Sequence, residues 1–404
     1  MSYNFKETMN KPERLAPGHR MCAGCGGTIA VRNVLRGLHE GDKAVIGNAT
    51  GCLEVSTFTY PYTAWEDSYI HNAFENAGAT LSGVEGAYKA LKRKGKLQDT
   101  NYKFITFGGD GGTYDIGLQS LSGAMERNQD LVYVCYDNGA YMNTGIQRSS
   151  ATPMYADTTT TPVGSESNGK PQNRKDLASV IAAHDIPYVA QTTFVQNFKD
   201  LHIKSEKAIY TPGAAFLNIM APCPRGWRYN TPDIMEICKL GVETCYWPLF
   251  EVVEGKWILN YEPKKKLPIE DFLRPQGRFK HLFKKGNEDL LEAFQKEVDS
   301  NLLRILNLFA ISIQIQQTGK RSNHRIVSIS QCSSRMRQGD AAIRLLDDIP
   351  QEIALGEWLH IARIRRVAVS HLPPDVGIQP ILIQFLLRKE VIERNLASQF
   401  RALD

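Results

Sequence analysis

Apolar and polar residues along the chain follow a pattern that predicts strands alternating with helices. Short apolar runs at 104–107, 131–136 and 214–220 have the length of buried strands. The segment 116–127, which lies between the first two runs, has the length and composition of a helix. Strands separated by single helices are typical of parallel sheets with helical crossovers. The chain is therefore predicted to have an α/β fold of the doubly wound type.

Polar residues follow two of these predicted strands at the same edge of the sheet. Gly109-Asp110-Gly111 comes directly after the first strand, and Asn138 closes the second. A carboxylate and an amide oxygen suit Mg²⁺, which prefers oxygen ligands and keeps phosphates as co-ligands. The glycines allow backbone N–H groups to approach a diphosphate, whose charge the following helix start favours. An ordinary Gly-rich turn is the alternative, but the second polar position favours a cofactor site.

Three of the eight cysteines lie close together near the start of the chain. Cys22 and Cys25 form a C-x₂-C pair, and Cys52 follows a short predicted strand. Such thiolates can bind zinc, bind an iron–sulfur cluster or act as a redox pair. Zinc sites usually have a second Cys or His pair, which is not seen here, and a redox pair leaves Cys52 unexplained. A cluster needs a fourth thiolate, for which Cys223, after the predicted strand at 214–220, is the best candidate.

Composition places the chain among soluble globular proteins. Its 404 residues are 42% hydrophobic and 23% charged. No run approaches the ~18 consecutive apolar residues of a membrane span. The polar N-terminal segment lacks the apolar core of a signal peptide, so a cytoplasmic location without membrane contact is predicted. A dense basic stripe is also missing, which argues against binding to nucleic acid.

Several motifs follow one another along the chain in a fixed order. They are Cys22-x₂-Cys25, Asn48-Ala49-Thr50-Gly51-Cys52, Gly109-Asp110-Gly111 with Asn138, Tyr141-Met142-Asn143-Thr144-Gly145 and Pro222-Cys223-Pro224. Together they resemble the thiamine-binding β subunit of 2-oxoacid:ferredoxin oxidoreductases over roughly residues 15–300. The segments Tyr60–Trp65 and Ile70–Asn76 resemble the pyruvate branch of that family. Asp137-Asn138 stands where the thiamine-diphosphate motif usually has Asn-Asn, so the ligand position itself is kept.

The resemblance implies two neighbouring cofactors. Thiamine diphosphate would be held through Mg²⁺ by Asp110, Asn138 and the backbone carbonyl of Ala140. A [4Fe–4S] cluster would be bound by the thiolates of Cys22, Cys25, Cys52 and Cys223. The residues implied to contact the thiamine cofactor are Thr50, Gly51, Cys52, His71, Asn72, Gly109, Asp110, Gly111, Asn138, Met142 and Asn143. Among them Asn143 would face the reacting carbon, Cys52 would serve both cofactors, and His71 could equally be a structural histidine at a helix start.

The implied reaction is the oxidative decarboxylation of pyruvate with coenzyme A to acetyl-CoA and CO₂, with electrons passing to ferredoxin. The alternatives are the same chemistry on 2-oxoglutarate, a branched-chain 2-oxoacid or oxalate, or a non-catalytic thiamine- or redox-sensing subunit. No motif places a Glu to activate the aminopyrimidine ring, a role that the family gives to a partner α subunit. The chain is therefore expected to be inactive alone and to work in a complex with α-, γ- and δ-type subunits.

A change of basic residue near Asn301 predicts a domain boundary. Residues 1–301 have 34 basic and 34 acidic side chains, whereas residues 302–404 have 14 and 9 and supply the whole net charge of +5. Lysine outnumbers arginine 22 to 12 in the first part, and arginine outnumbers lysine 12 to 2 in the second. We predict a thiamine-diphosphate-binding and iron–sulfur domain over 1–301 and an unassigned Arg-rich extension over 302–404.

Two further segments have less specific patterns. Small residues spaced along Ile70 to Lys92 predict one long helix. The Thr/Ser/Gly/Pro-rich segment 152–170 predicts a long surface loop of the kind that can close as a lid.

Overall fold

The computed structural model describes residues 3–59, 61–97 and 101–321. The predicted extension is therefore described only as far as residue 321, and Tyr60 and Cys332 also lie outside the described residues. Within these ranges the strands are Lys43–Ala49 (β1), Phe58–Thr59 (β2), Tyr62–Thr63 (β3), Ser68–Asn72 (β4), Tyr102–Gly109 (β5), Val132–Asp137 (β6), Tyr188–Thr192 (β7), Ala215–Met220 (β8), Phe250–Val253 (β9) and Lys256–Leu259 (β10).

Helices cover both faces of the large sheet. The α-helices of the described ranges are Phe5–Met9 (α1), Gly26–Leu35 (α2), Cys52–Thr57 (α3), Ala77–Arg93 (α4), Leu118–Glu126 (α5), Leu177–Ala182 (α6), Lys199–Tyr210 (α7), Pro224–Trp227 (α8), Ile234–Glu243 (α9), Ile269–Leu273 (α10) and Glu288–Arg321 (α11). A π-helix, Gly111–Ile116, precedes α5, and short 3₁₀ turns occupy Gln196–Phe198, Thr231–Asp233 and Gly277–Phe283.

Eight strands form one sheet in the order β10-β9-β7-β8-β6-β5-β1-β4. The six strands from β7 to β4 are parallel, and β9 runs against β7 at one side. The chain passes from β1 outward to β4 and then returns to β5, which leads to β6 on the other side. The strand order therefore reverses between β1 and β5, and such reversals open a crevice at the carboxyl ends of the strands. The predicted doubly wound α/β fold is confirmed.

Strand β6 is buried on both faces, and successive side chains enter different cores. Val134 and Tyr136 pack in the core beneath α2, α7 and α9. Tyr133 and Cys135 point the other way, into the core beneath α4, α5 and α6. Because side chains alternate along a strand, the two faces of one strand serve two separate cores. Tyr136 therefore lies on the same side of the sheet as α2, which begins in the C-x₂-C segment.

The prediction of one helix from Ile70 to Lys92 is wrong at its beginning. Residues Ser68–Asn72 form the edge strand β4, which pairs in parallel with β1 and sets His71 opposite Asn48. Helix α4 starts only at Ala77. Pairing with β1 decides the conformation here, because strand formation depends more on tertiary neighbours than on local preference. His71 is consequently a strand residue, and the reading of it as a helix-start histidine is wrong.

The predicted surface loop at 152–170 is exposed only in its middle. Thr152 and Met154 are buried at one end and Lys170 at the other. The Lys170 ammonium donates hydrogen bonds to the backbone carbonyls of Ser150, Thr152 and Asn173. These bonds fix both ends of the segment against the sheet, so it is a packed part of the fold.

Helix α11 continues without a break through Asn301, where composition predicts a boundary. Beyond that position Leu302, Ile305 and Phe309 are buried against the sheet and its helices. The described part of α11 is thus continuous with the first domain, and the domain division stays a prediction. Among the residues described, no helix is both long and apolar enough to cross a membrane.

Candidate functional site

A narrow cleft opens at the carboxyl ends of β1, β5 and β6, where the strand order reverses. Its walls come from the ends of these strands and the segments that follow them, together with Phe74 after β4. The lining residues are Thr50, Gly51, Cys52, Phe74, Gly109, Gly111, Gly112, Tyr136, Asn138, Ala140, Tyr141, Met142, Asn143 and Thr144. Most residues predicted to contact a thiamine cofactor therefore surround one cleft.

Three of the predicted residues do not line this cleft. Asp110 is fully buried beneath it. His71 is exposed on β4, where its Nδ1 lies 2.6 Å from the buried Glu54 carboxylate and its ring stacks on Phe58. Asn72 is buried, and its backbone carbonyl accepts a hydrogen bond of 2.8 Å from the Thr50 hydroxyl. Asn72 therefore supports the cleft from behind, and His71 lies beside it.

Three polar groups converge beneath the cleft. One end of the Asn138 side-chain amide lies 2.9 Å from Oδ1 of Asp110 and 2.9 Å from the carbonyl oxygen of Ala140. With its NH₂ at this point the amide donates to both oxygens, and with its oxygen there three acceptors meet, an arrangement that needs a cation between them. Two oxygens at right angles on Mg²⁺, each at about 2.1 Å, are about 3 Å apart. The donor set and its spacing therefore fit Mg²⁺.

Two contacts hold the loop that carries these oxygens. The indole nitrogen of Trp227 donates a 2.6 Å hydrogen bond to the carbonyl of Asn138. The hydroxyl of Thr152 donates one of 2.7 Å to the carbonyl of Gly139, whose φ of +74° lies in the left-handed region that favours glycine. Both carbonyls are thus turned away from the convergence point, and the loop presents the carbonyl of Ala140 instead.

Asp110 is the buried acid of this site. Its carboxylate accepts hydrogen bonds from the Ser149 hydroxyl and, at 3.3 Å, from the backbone N–H of Asn138. Burial raises the pKa of Asp110, and the nearby Asp137 raises it further. A bound divalent cation would act in the opposite sense, because it stabilises the ionised carboxylate.

Asp137 is paired with Arg174, which sequence reasoning did not single out. The Arg174 guanidinium contacts both oxygens of Asp137 and lies 4.6 Å from the centre of the Trp247 ring. Asp137 is 2% and Arg174 15% exposed at the side chain. The extra negative charge in place of the usual Asn is therefore neutralised within the fold. The presence of Asp rather than Asn at position 137 was the one signal in the sequence that this site needed a cationic partner.

Close contacts to two glycines shape one side of the cleft. A Cβ on Gly111 would lie 2.3 Å from the Tyr141 ring, and the Tyr141 hydroxyl donates to the Gly111 carbonyl at 2.9 Å. A Cβ on Gly112 would lie 3.0 Å from the carbonyl oxygen of Phe74. Only glycine fits at Gly111, because the Tyr141 ring occupies the space that a side chain would take.

The four predicted cluster cysteines come from three loops that hydrogen bonds join. The backbone N–H of Gly26 donates to the carbonyl of Pro222 at 3.1 Å, which ties the C-x₂-C segment to the loop of Cys223. The N–H of Arg20 donates to the carbonyl of Ser56 at 2.8 Å, which ties the same segment to α3 and Cys52. All four cysteines are free thiols. The fold therefore brings the three loops to one place.

The thiols are close enough to influence one another electrostatically. Burial and, to a smaller extent, negative charge on Cys25, Cys223 and Cys22 raise the pKa of Cys52 to about 12. Burial also raises the pKa of Cys25, although hydrogen bonds from the backbone N–H groups of Thr28 and Gly27 act in the opposite direction. Four thiolates at this place would repel each other strongly, and positive iron would relieve that repulsion. The chemistry of the four side chains fits such a cluster.

In the described ranges, no group of three or more His, Cys, Asp and Glu side chains is arranged to hold a metal ion. The oxygen site contains one carboxylate, one amide and one carbonyl, and the thiols stand on separate loops. The groups of Asp110, Asn138 and Ala140 and the four thiols are candidate ligands because of their chemistry and their surroundings.

Comparison with known proteins places the chain in a family. A family model described as "Thiamine pyrophosphate enzyme, C-terminal TPP binding domain" matches residues 49–219. The pyruvate synthase subunit PorB of Thermotoga maritima is 51% identical over 315 residues, which are 76% of this chain and 97% of that protein. The chain belongs to the PorB family of oxidoreductase β subunits. The resemblance read from its motifs is thereby confirmed.

Other relatives of this PorB-family chain have the same extent. The PorB subunit of Methanocaldococcus jannaschii is 49% identical over 290 residues, which are 72% of this chain and 95% of that protein. The ketoisovalerate oxidoreductase subunit VorB of Pyrococcus abyssi is 42% identical over 304 residues, which are 75% of this chain and 96% of that protein. The thiamine pyrophosphate family model includes every residue that lines the cleft, whereas Cys22, Cys25 and Cys223 lie outside it.

Proposed function

We propose that this PorB-family chain is the thiamine diphosphate-binding subunit of a pyruvate:ferredoxin oxidoreductase, which converts pyruvate and coenzyme A to acetyl-CoA and CO₂. The single observation that carries the proposal is the convergence of the Asp110 carboxylate, the Asn138 amide and the Ala140 carbonyl beneath a cleft with glycine walls. The choice of pyruvate as substrate is supported by the names of two PorB relatives at 51% and 49% identity, which are pyruvate synthase subunits.

Asp110, Asn138 and the carbonyl of Ala140 would hold Mg²⁺, and the glycine backbone at 109–112 would accept the diphosphate. Thiamine diphosphate, when bound, supplies an electron sink for the loss of CO₂ from a 2-oxoacid. Asn143 and Met142, both on the cleft wall, would face the substrate and the ring of the cofactor. The rings of Phe74 and Tyr141, which pack edge to face with centres 5.9 Å apart on the cleft wall, would limit the entry of water.

Cys52 links the proposed cofactor cleft to the proposed electron acceptor. It lines the cleft and is also electrostatically coupled to Cys22, Cys25 and Cys223. A [4Fe–4S] cluster bound by these four thiolates would accept single electrons at the wall of the cleft. Ferredoxin would receive those electrons, and partner subunits of the complex would supply the groups that this chain lacks, including the Glu for the aminopyrimidine ring.

A second substrate class is favoured by one observation. The VorB relative is 42% identical to this chain over 96% of the VorB length, and the name of that relative indicates ketoisovalerate. A branched-chain 2-oxoacid is therefore the second candidate. Steady-state assays of the purified complex with pyruvate, 2-oxoisovalerate and 2-oxoglutarate separate these candidates. The proposal expects the largest kcat/KM with pyruvate, and a larger value with either other acid would replace pyruvate as the substrate.

The cofactor assignment is tested by removing one carboxylate. Asp110→Asn should weaken Mg²⁺-dependent binding of thiamine diphosphate by at least about 100-fold, because the only carboxylate among the proposed ligands is lost. Iron content should stay near that of the unchanged protein, since the cysteines lie on other loops. The matched control is Asp115→Asn, at a carboxylate that bonds Ser150 outside the cleft. Equal affinity of both variants in calorimetry would reject the assignment.

A further inference from the structure

Tyr136 is a buried residue on the cleft wall that none of the motifs includes. It is 2% exposed, on β6, and its ring faces the cleft. Within the described part of the chain, its hydroxyl has no hydrogen-bond partner. The backbone N–H of Leu53, which lowers the pKa of this phenol, is itself a donor. The phenol hydrogen is therefore left without an acceptor, and an unmade buried hydrogen bond is destabilising.

Three glycines make room for the Tyr136 ring. A Cβ on Gly51 would lie 2.8 Å from the hydroxyl, and a Cβ on Gly109 would lie 3.5 Å from it. A Cβ on Gly27 would lie 3.5 Å from Cδ2 of the same ring. These glycines come from the loop before Cys52, from the loop before Asp110 and from the start of α2, next to Cys25. The ring therefore stands where the cysteine loops meet the cofactor cleft.

The cysteines and the phenol also interact electrostatically. Burial raises the pKa of Tyr136, and negative charge on Cys52 and on Cys25 raises it further. The hydroxyl is consequently protonated at neutral pH and able to donate. The position of the hydroxyl near the thiols and the cleft does not depend on this pKa. It follows from the contacts of the Tyr136 ring with Gly27, Gly51 and Gly109.

We propose that Tyr136 is a positioning residue whose hydroxyl donates a hydrogen bond to an electron-rich group bound between Cys52 and Gly109, where the cluster loops meet the cofactor cleft. The inference rests on the proposed function, which supplies two such groups: a sulfur of the iron–sulfur cluster and thiamine diphosphate. A hydrogen bond to a cluster sulfur raises the reduction potential of the cluster. A hydrogen bond to the thiamine cofactor strengthens its binding.

The test is Tyr136→Phe in the purified complex, which removes the hydroxyl and keeps the ring. The matched control is Tyr133→Phe on the same strand, whose hydroxyl lies in the opposite core, 3.4 Å from that of Thr113. Three quantities are measured for each variant: iron content, the midpoint potential of the cluster without thiamine diphosphate, and the Kd of thiamine diphosphate with Mg²⁺. The unchanged protein must bind both cofactors, and failure there would refute the proposed function itself.

If a cluster sulfur is the acceptor, Tyr136→Phe should lower the midpoint potential by the equivalent of about tenfold, which is about 59 mV for one electron. If the thiamine cofactor is the acceptor, the Kd should rise by roughly tenfold with no change in potential. Tyr133→Phe should change neither quantity. The proposal is overturned if Tyr136→Phe leaves both unchanged, if the control shifts them equally, or if Tyr136→Phe loses iron or assembly, because a packing role would then suffice.

Discussion

Arg174 neutralises Asp137 from a segment that lies far along the chain, beyond the loop at 152–170. Its guanidinium contacts the carboxylate and also donates to the hydroxyl of Tyr114 and to the carbonyl of Ala151. Without it, Asp137 and the buried Asp110 would be two unbalanced acids under one cleft. The pair therefore allows an Asp to stand beside the proposed metal ligand Asn138, where the motif usually has Asn.

This relationship predicts strong coupling between the two positions. Arg174→Gln alone should reduce the free energy of unfolding by about 3–5 kcal/mol, because a buried carboxylate loses its partner. The double variant Asp137→Asn/Arg174→Gln should be more stable than Arg174→Gln alone, by at least about 2 kcal/mol. Chemical unfolding of the full-length protein measures the cycle. If the effects of the two single changes on the free energy of unfolding add to within about 0.5 kcal/mol, the two charges do not interact.

The cysteines separate into two groups with different expected behaviour. Cys22→Ala, Cys25→Ala, Cys52→Ala and Cys223→Ala should each lose iron and the brown absorbance of a [4Fe–4S] centre, because the cluster needs four thiolates. Cys238→Ala and Cys245→Ala should retain both, since those thiols are buried in α9 and the turn after it, outside the three cysteine loops. Iron analysis and optical spectra of the anaerobically purified variants check this. A Cys223→Ala protein with full iron content would refute the four-ligand assignment.

Lys170 should make stability depend on pH. Burial lowers its pKa in the folded chain to about 8 from the ordinary 10.5. Between these values the unfolded chain binds more protons, so the contribution of Lys170 to stability rises with pH from about 8 to about 10.5 and is lost as pH falls through about 8. The full change is on the order of 3 kcal/mol.

The measurement for Lys170 is the free energy of unfolding between pH 7 and pH 10.5. The free energy of unfolding of the unchanged protein, relative to that of Lys170→Met, should rise with pH across this window. Lys256→Met, at an exposed lysine of β10, corrects for the general loss of one positive charge. Parallel profiles for the unchanged protein and Lys170→Met would contradict the buried-charge explanation.

Helix α11 predicts where the chain can be shortened. A chain that ends after Asn301 lacks Leu302, Ile305 and Phe309, each worth about 1.5–3 kcal/mol of burial. Its Tm should fall by on the order of 10 °C. A chain that ends after Arg321 retains these contacts and should have the higher Tm of the two. Equal Tm values for the two truncations would show that the buried turn beyond Asn301 contributes little.

The turn after β5 and the position of Asn138 were predictable because strand, turn and helix are close in sequence there. Gly109-Asp110-Gly111 and Asn138 lie at neighbouring strand ends, as the order of elements requires. Tyr136 and Arg174 were not predictable, since their roles depend on how β6 and later segments pack in space. His71 shows the same limit in reverse: its helical surroundings in sequence gave way to pairing between β4 and β1.

The joining of three separate loops around the cysteines has a consequence for biogenesis. Cys22, Cys25 and Cys52 leave the ribosome early, whereas Cys223 follows only after β6, β7 and β8 have been synthesised. Chains emerge at about 5–20 residues per second, so the last thiol appears on the order of ten seconds or more after the third. The proposed four-thiolate cluster would therefore be completed only when β8 has docked beside β6. During that interval the early thiols would need a reducing environment, and cluster insertion would be a late checkpoint on correct folding of the sheet.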